Sequence, residues 1–117
     1  VDDEPRICNL INIFLSQSQY FSNVVTCKNA LEAFQKMENQ DFHLLIVDQV
    51  MKGRTGLEFI EQIHRFPKHQ DVKIILMSGF LKIEDVLSAT QNRVHHILVK
   101  PFNRLALLDK VREVLEI

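Results

Sequence analysis

The sequence predicts an α/β domain built on a parallel sheet, and three observations predict it. Short apolar runs end at polar residues: Leu44–Val47 at Asp48, Ile74–Met77 at Ser78 and Ile97–Val99 at Lys100. Stretches with helical apolar spacing alternate with those runs, as in a sheet whose strands are joined by helices. The length, 117 residues, is that of one domain with a real core.

Pro5 suits the first turn of a helix, where its fixed φ fits and its missing N–H costs nothing. Ile7, Leu10, Ile11 and Phe14 then repeat at i, i+3, i+4, i+7 as one buried face. Asn23–Cys27 reads as a short β-branched strand, and Asn29 as the cap of a second helix with Ala30, Ala33, Phe34 and Met37 inward. A strand over His43–Asp48 follows, then a loop with Gly53 and Gly56. Thr55 followed by Glu58 forms a capping box that opens a helix with Phe59, Ile60 and Ile63 inward, and Pro67 ends it. Next come a strand at Lys73–Met77, a weaker helix around 83–90 with Ile83, Val86, Leu87 and Thr90 inward, and a strand near His96–Val99. Asn103 caps a last helix that buries Leu107, Leu108, Val111, Val114 and Leu115. The phenylalanines at 14, 34, 59 and 66 are expected in the core, and the five histidines at strand edges or on the surface.

Composition narrows the function classes. A 46% apolar, 25% charged chain is an ordinary globular protein. A formal net charge of −1 argues against a polyanion-binding surface, so no direct nucleic-acid contact is expected. Cys8 and Cys27 have no metal-ligand spacing and read as reduced thiols in half-buried positions. No apolar run approaches the roughly 20 residues of a membrane span, and no signal-peptide pattern occurs, so a cytoplasmic location is expected.

The chemistry lies in the polar residues at the strand ends. A parallel sheet gathers the C-terminal ends of its strands along one edge, where α/β proteins place their sites. Asp2, Asp3, Asp48, Ser78 and Lys100 would meet there: three acids, a hydroxyl and an amine. Clustered carboxylates raise one another's pKa, and a divalent cation removes that conflict. Mg²⁺ suits such a site because it takes a few carboxylate oxygens, waters and phosphate oxygens. This set points to Mg²⁺-assisted phosphoryl chemistry.

With these residues in place, the chain resembles the receiver domain of bacterial two-component response regulators. The matching motifs are Val1-Asp2-Asp3-Glu4-Pro5, Ile46-Val47-Asp48, Met51 with Gly56 eight residues after Asp48, Met77-Ser78-Gly79 and Lys100-Pro101-Phe102. They span essentially the whole chain, in order. The resemblance implies a flavodoxin-like (CheY-like) doubly wound sheet of order 2-1-3-4-5 with helices on both faces. It implies that Asp48 accepts a phosphoryl group from a histidine kinase or a phosphotransfer protein. Asp3 would ligate Mg²⁺ directly and Asp2 largely through water, with Asp48 and the Val50 backbone carbonyl completing the protein's share of the shell. Ser78 and Lys100 would each bond a phosphoryl oxygen, and movement of Ser78 would shift the surface formed by the family's fourth helix, last strand and last helix. The Lys100–Pro101 bond is expected to be cis. An output domain or downstream protein would lie outside these residues.

Four departures qualify the resemblance. The family's first, central strand precedes the acidic pair, and here only Val1 stands in it. An upstream segment of roughly six to ten residues is therefore expected; without it, Asp2 and Asp3 would sit on a frayed terminus. Ile97 stands where many members carry Tyr or Phe. Val50 and Phe80, two residues beyond Asp48 and Ser78, flank the path of the hydrolytic water, and neither can orient it, so self-dephosphorylation should be slow. Lys52 replaces the usual proline after Met51.

Two other functions compete with the phosphorylatable switch. One is an idle pseudo-receiver acting only as an interaction module, which the intact Asp2, Asp3, Asp48, Ser78 and Lys100 argue against. The other is a phosphatase of the haloacid-dehalogenase type. That enzyme needs a second Asp two residues after its nucleophile, where this chain has Val50. The expected role is a signalling domain, not a turnover enzyme.

Overall fold

The computed structural model describes residues 1–79, 87, 91, 94 and 96–117. Helix α1 spans Pro5–Ser18 and α2 spans Ala30–Asn39. Strand β1 (Leu44–Asp48) leads to α3 (Gly56–His64), a short 3₁₀ turn at Pro67–His69 and strand β2 (Lys73–Ser78). Strand β3 (Ile97–Val99) and helix α4 (Arg104–Leu115) complete the described elements. Of the expected helix around 83–90 only Leu87 is described, and it is 60% exposed instead of facing inward; Ile83, Val86, Thr90 and Phe80 lie outside the described residues.

The strands pair in parallel in the order β1-β2-β3, with Asp48 opposite Met77 and Ser78 opposite Val99. Alternation along the strands decides which helices cover which face. Leu45, Val47, Ile74 and Leu76 point into one cluster with Ala33 and Met37 of α2 and Phe59, Ile60 and Ile63 of α3. Ile46, Ile75, Met77 and Leu98 point the other way, onto Ile11 and Leu15 of α1 and Leu107, Val111 and Val114 of α4. The sheet is thus covered on both faces, which is why its strands read as unbroken apolar runs. Fully buried side chains such as Phe59, Ile63, Ile75 and Leu107 each contribute about 1.5–3 kcal/mol.

The helix ends follow the sequence. Pro5 opens α1. Asn29 accepts from the Glu32 N–H at 2.8 Å, and Asn103 from the Ala106 N–H at 2.8 Å. The Thr55/Glu58 box is reciprocal, with both bonds at 3.1 Å.

Several expectations are corrected. Residues 23–27 form no strand ladder. Their one strand-like link is the Asp2 N–H to the Cys27 carbonyl, 3.0 Å. Short strands need a neighbour along their length, and Val1 and Asp2 reach only the end of this one. Those two residues are nevertheless not frayed. The Val1 nitrogen donates to the Ile46 carbonyl at 2.6 Å, and the Asp48 N–H donates to the Val1 carbonyl at 2.9 Å. Val1 and Asp2 therefore bridge residues 23–27 and β1, the place the order 2-1-3-4-5 assigns to the first strand. A cleft lined by Leu15, Phe21, Val24, Met37 and Leu45 continues below them.

Other corrections concern burial. On α1 the buried pair is Ile11 and Leu15, while Ile7, Leu10 and Phe14 are only half-buried. Leu115 is half-buried. Phe66 is 42% exposed, lying against Phe34 with ring centroids 5.4 Å apart. His69 is buried instead of lying at the surface, and its Nε2 is 3.1 Å from Glu38 Oε1. Cys27 is buried instead of half-buried. No helix among the described residues is long and apolar enough to cross a membrane.

Candidate functional site

Asp48 is the last residue of β1 and is buried. The strand delivers it because four apolar neighbours fix its register against β2, and the Val1 carbonyl holds its N–H. Asp2 is 1% exposed, although an unpaired buried carboxylate is costly. Its two oxygens explain the burial. Oδ1 accepts the Glu4 N–H at 2.9 Å, and Oδ2 accepts from Lys100 Nζ at 2.8 Å. Asp3 is half-buried, and its Oδ2 accepts the Lys52 N–H at 3.3 Å.

Lys100 follows β3 and carries a cis bond to Pro101. Its ammonium lies 2.8 Å from Asp2 and 3.1 Å from Asp48. The main chain anchors it too, since the Lys100 N–H donates to the Ser78 carbonyl at 2.8 Å. Ser78 closes β2 at the same sheet edge and is buried.

The electrostatics follow from this crowding. Burial raises the Asp48 pKa above the ordinary carboxylate value, and the Asp2 charge adds to that. Lys100 and the Val50 backbone N–H act in the opposite direction. For Lys100, burial works to lower the pKa, but its bonds to Asp2 and Asp48 prevail and raise it. The lysine therefore stays charged and balances two acids.

Asp2, Asp3 and Asp48 each offer an oxygen, and these atoms lie within 4.8 Å of one another. Hard carboxylate oxygens at that spacing fit Mg²⁺. Val50 is 74% exposed, and its backbone N–H reaches the Asp48 carboxylate. Asp2, Asp3 and Asp48 thus cluster, Lys100 touches Asp2 and Asp48, and Ser78 lies on the same edge.

Three contributors escape a reading of the sequence. The Cys8 thiol donates to the Asp2 carbonyl at 3.2 Å. The Lys52 main chain supports Asp3. Gln49 tethers the chain just after Asp48. Backbone donors leave no signature in residue type, and nothing in the spacing marks Cys8 or Gln49.

Comparison with known proteins agrees with the geometry. The chain is 28% identical over 115 residues to the regulatory protein VanRB of Enterococcus faecalis, covering 98% of this chain and 50% of that one. The chain spans about half the length of this curated relative. It superposes on the chemotaxis protein CheY4 of Vibrio cholerae with a TM-score of 0.90 and 26% identity, covering 97% of this chain and 92% of that one. The Thermotoga maritima response regulator TrrA, solved in complex with Mg²⁺-BeF, matches with a TM-score of 0.82 and 33% identity, covering 97% and 93%. The family model for the response regulator receiver domain matches residues 1–112. With the doubly covered parallel sheet and its acidic edge, this match shows that the chain belongs to the response regulator receiver domain family.

Proposed function

We propose that this receiver domain is a phosphorylation-dependent switch of a two-component system and that Asp48 is its phosphoacceptor. One observation carries the reading: Lys100 Nζ touches both Asp2 and Asp48, at 2.8 and 3.1 Å. That contact supports the reading because it sets an ammonium against a buried strand-end acid that also faces Asp2 and Asp3.

An Asp48 carboxylate oxygen attacks phosphorus, and the bond from phosphorus to the histidine nitrogen of a kinase or phosphotransfer protein breaks. The electron pair leaves with that nitrogen, and an acyl phosphate remains on Asp48. Catalysis here is positioning and charge balance. Bound Mg²⁺ supplies charge neutralisation, and Asp3, Asp48 and the Val50 carbonyl would hold it directly. Asp2 would act largely through water, since both its oxygens already have protein partners. Lys100 leaves Asp2 for a phosphoryl oxygen, and Ser78 donates its hydroxyl to another. Both residues are tied to β3 through the Ser78–Lys100 main-chain bond, so their movement reaches β3 and α4. Ile97, half-buried at the start of β3, cannot make an aromatic swing, so the change travels by small strand shifts.

Incubation with Mg²⁺ and acetyl phosphate tests the reading. A stable, base-labile adduct that vanishes in Asp48→Asn supports the switch. Absence of any adduct supports an idle interaction module, and continuous phosphate release supports a phosphatase.

A further inference from the structure

Any receiver-type site faces a positioning problem at residue 48. The chain leaves β1 and crosses the loop 50–55, which carries Val50 and its bond to Asp48. It then enters α3 at Gly56. The first turn of a helix presents N–H groups with no partner inside the helix. Here they are filled from two sides. Thr55 Oγ1 accepts the Glu58 N–H. Gln49 accepts the other two: its carbonyl takes the Gly56 N–H at 3.0 Å, and its side-chain Oε1 takes the Leu57 N–H at 2.9 Å. The Gln49 N–H donates in turn to the Met77 carbonyl of β2 at 2.8 Å.

One residue thus joins the ends of β1 and β2 to the start of α3. Residues 50–55 become a closed loop whose two feet are fixed at position 49 and at positions 56–57. Two of these three bonds are main-chain and do not depend on the side chain at 49. Only the Oε1 bond depends on glutamine, and only it reaches the second residue of α3.

We propose that Gln49 is a positioning residue for the phosphoacceptor site: by capping α3 with its side chain it fixes the loop that presents the Val50 backbone to Asp48 and to the metal. The inference rests on the reading of Asp48 given above and adds the residue that holds its loop in place. Gln49 touches neither phosphoryl group nor metal and acts through Val50.

The test compares Gln49→Leu, which removes the acceptor at similar volume, with Gln49→Glu, which keeps an acceptor facing the α3 N-terminus, where a negative charge is favoured. Mg²⁺ affinity is measured by calorimetry, the acetyl phosphate rate at saturating Mg²⁺, and the thermal midpoint in parallel. Gln49→Leu is expected to weaken Mg²⁺ binding several-fold and to slow phosphorylation by about tenfold to a hundredfold, the scale of a misplaced reacting group. Gln49→Glu is expected to restore most of both. A merely structural cap would lower the midpoint and leave Mg²⁺ affinity and rate unchanged, which overturns the proposal. Equal losses in the Leu and Glu variants overturn it as well. Should Gln49→Leu fail to fold, Gln49→Asn, whose amide is one carbon too short to reach Leu57, takes its place with the same expectations. If the wild-type chain itself forms no adduct at Asp48, the functional reading fails before Gln49 is tested.

Discussion

Lys100 Nζ and Asp2 Oδ2 meet at 2.8 Å although 98 positions separate them in the chain. Segments far apart in the chain therefore close on one ion pair, with Asp48 as the third member. In this arrangement the lysine occupies the electrostatic role that a metal ion would take over.

The first prediction follows from that competition. Replacing Lys100 by Ala removes a cation from beside the acid cluster, so Mg²⁺ should bind a few-fold more tightly at pH 7.5. The gain stays modest because the site is partly open and solvent screens the repulsion. Phosphorylation should nevertheless slow, since the phosphoryl oxygens lose their positive partner. Calorimetric Mg²⁺ titration and adduct formation read the two effects separately. Weaker Mg²⁺ binding in Lys100→Ala would mean that the lysine supports the metal site instead of competing for it.

The second concerns pH. The folded pKa of Asp48 lies above its unfolded value, chiefly through burial. Such a group favours the folded state below the unfolded pKa of about 3.8, and that contribution is lost as pH rises through the folded pKa. At neutral pH and without Mg²⁺, ionised Asp48 therefore costs stability. Asp48→Asn should melt a few degrees higher than wild type at pH 7, and the difference should shrink towards pH 4. Saturating Mg²⁺ should reduce or reverse it, because only the wild type gains a strong ligand. Thermal melts of both proteins across that range check the sign.

The third concerns Gly56, where α3 presses on β1. A Cβ there would lie 2.5 Å from the Asp48 carbonyl oxygen and 3.0 Å from Leu76 Cδ1. The backbone contact cannot yield as a flexible side chain would. Gly56→Ala should cost about 1–3 kcal/mol, as overpacking does, and should slow acetyl phosphate uptake by shifting Asp48. Urea unfolding and the adduct rate measure both.

Much of this site was legible because strands announce their ends. An apolar run that stops at Asp48, Ser78 or Lys100 fixes both register and edge, and the alternation of Leu45, Ile46 and Val47 between two clusters explains the unbroken runs. Caps at Asn29, Thr55 and Asn103 were equally local. Asn23–Cys27 misled because a strand is defined by its neighbour, and β-branching alone does not supply one. His69 and Phe66 exchanged their expected places for a tertiary reason. The turn after α3 lays the histidine against Glu38 and Phe34 and leaves the larger ring half outside. Gln49 and Cys8 act through bonds to distant backbone groups, which no local pattern encodes.

The fourth prediction is kinetic. Val50 is apolar and exposed beside Asp48 and offers no group to orient an attacking water. The acyl phosphate should persist for minutes or longer, and Val50→Asn should shorten its life. A wild-type half-life of seconds would contradict this.

Borohydride trapping tests the assignment of the nucleophile most directly. The reagent reduces an aspartyl phosphate to homoserine, and peptide mass spectrometry then locates the altered residue. After treatment with acetyl phosphate, homoserine should occur at position 48 alone and only when Mg²⁺ is present. Homoserine at another aspartate, or at position 48 without Mg²⁺, would show that the buried acid beside Lys100 is not the metal-assisted acceptor.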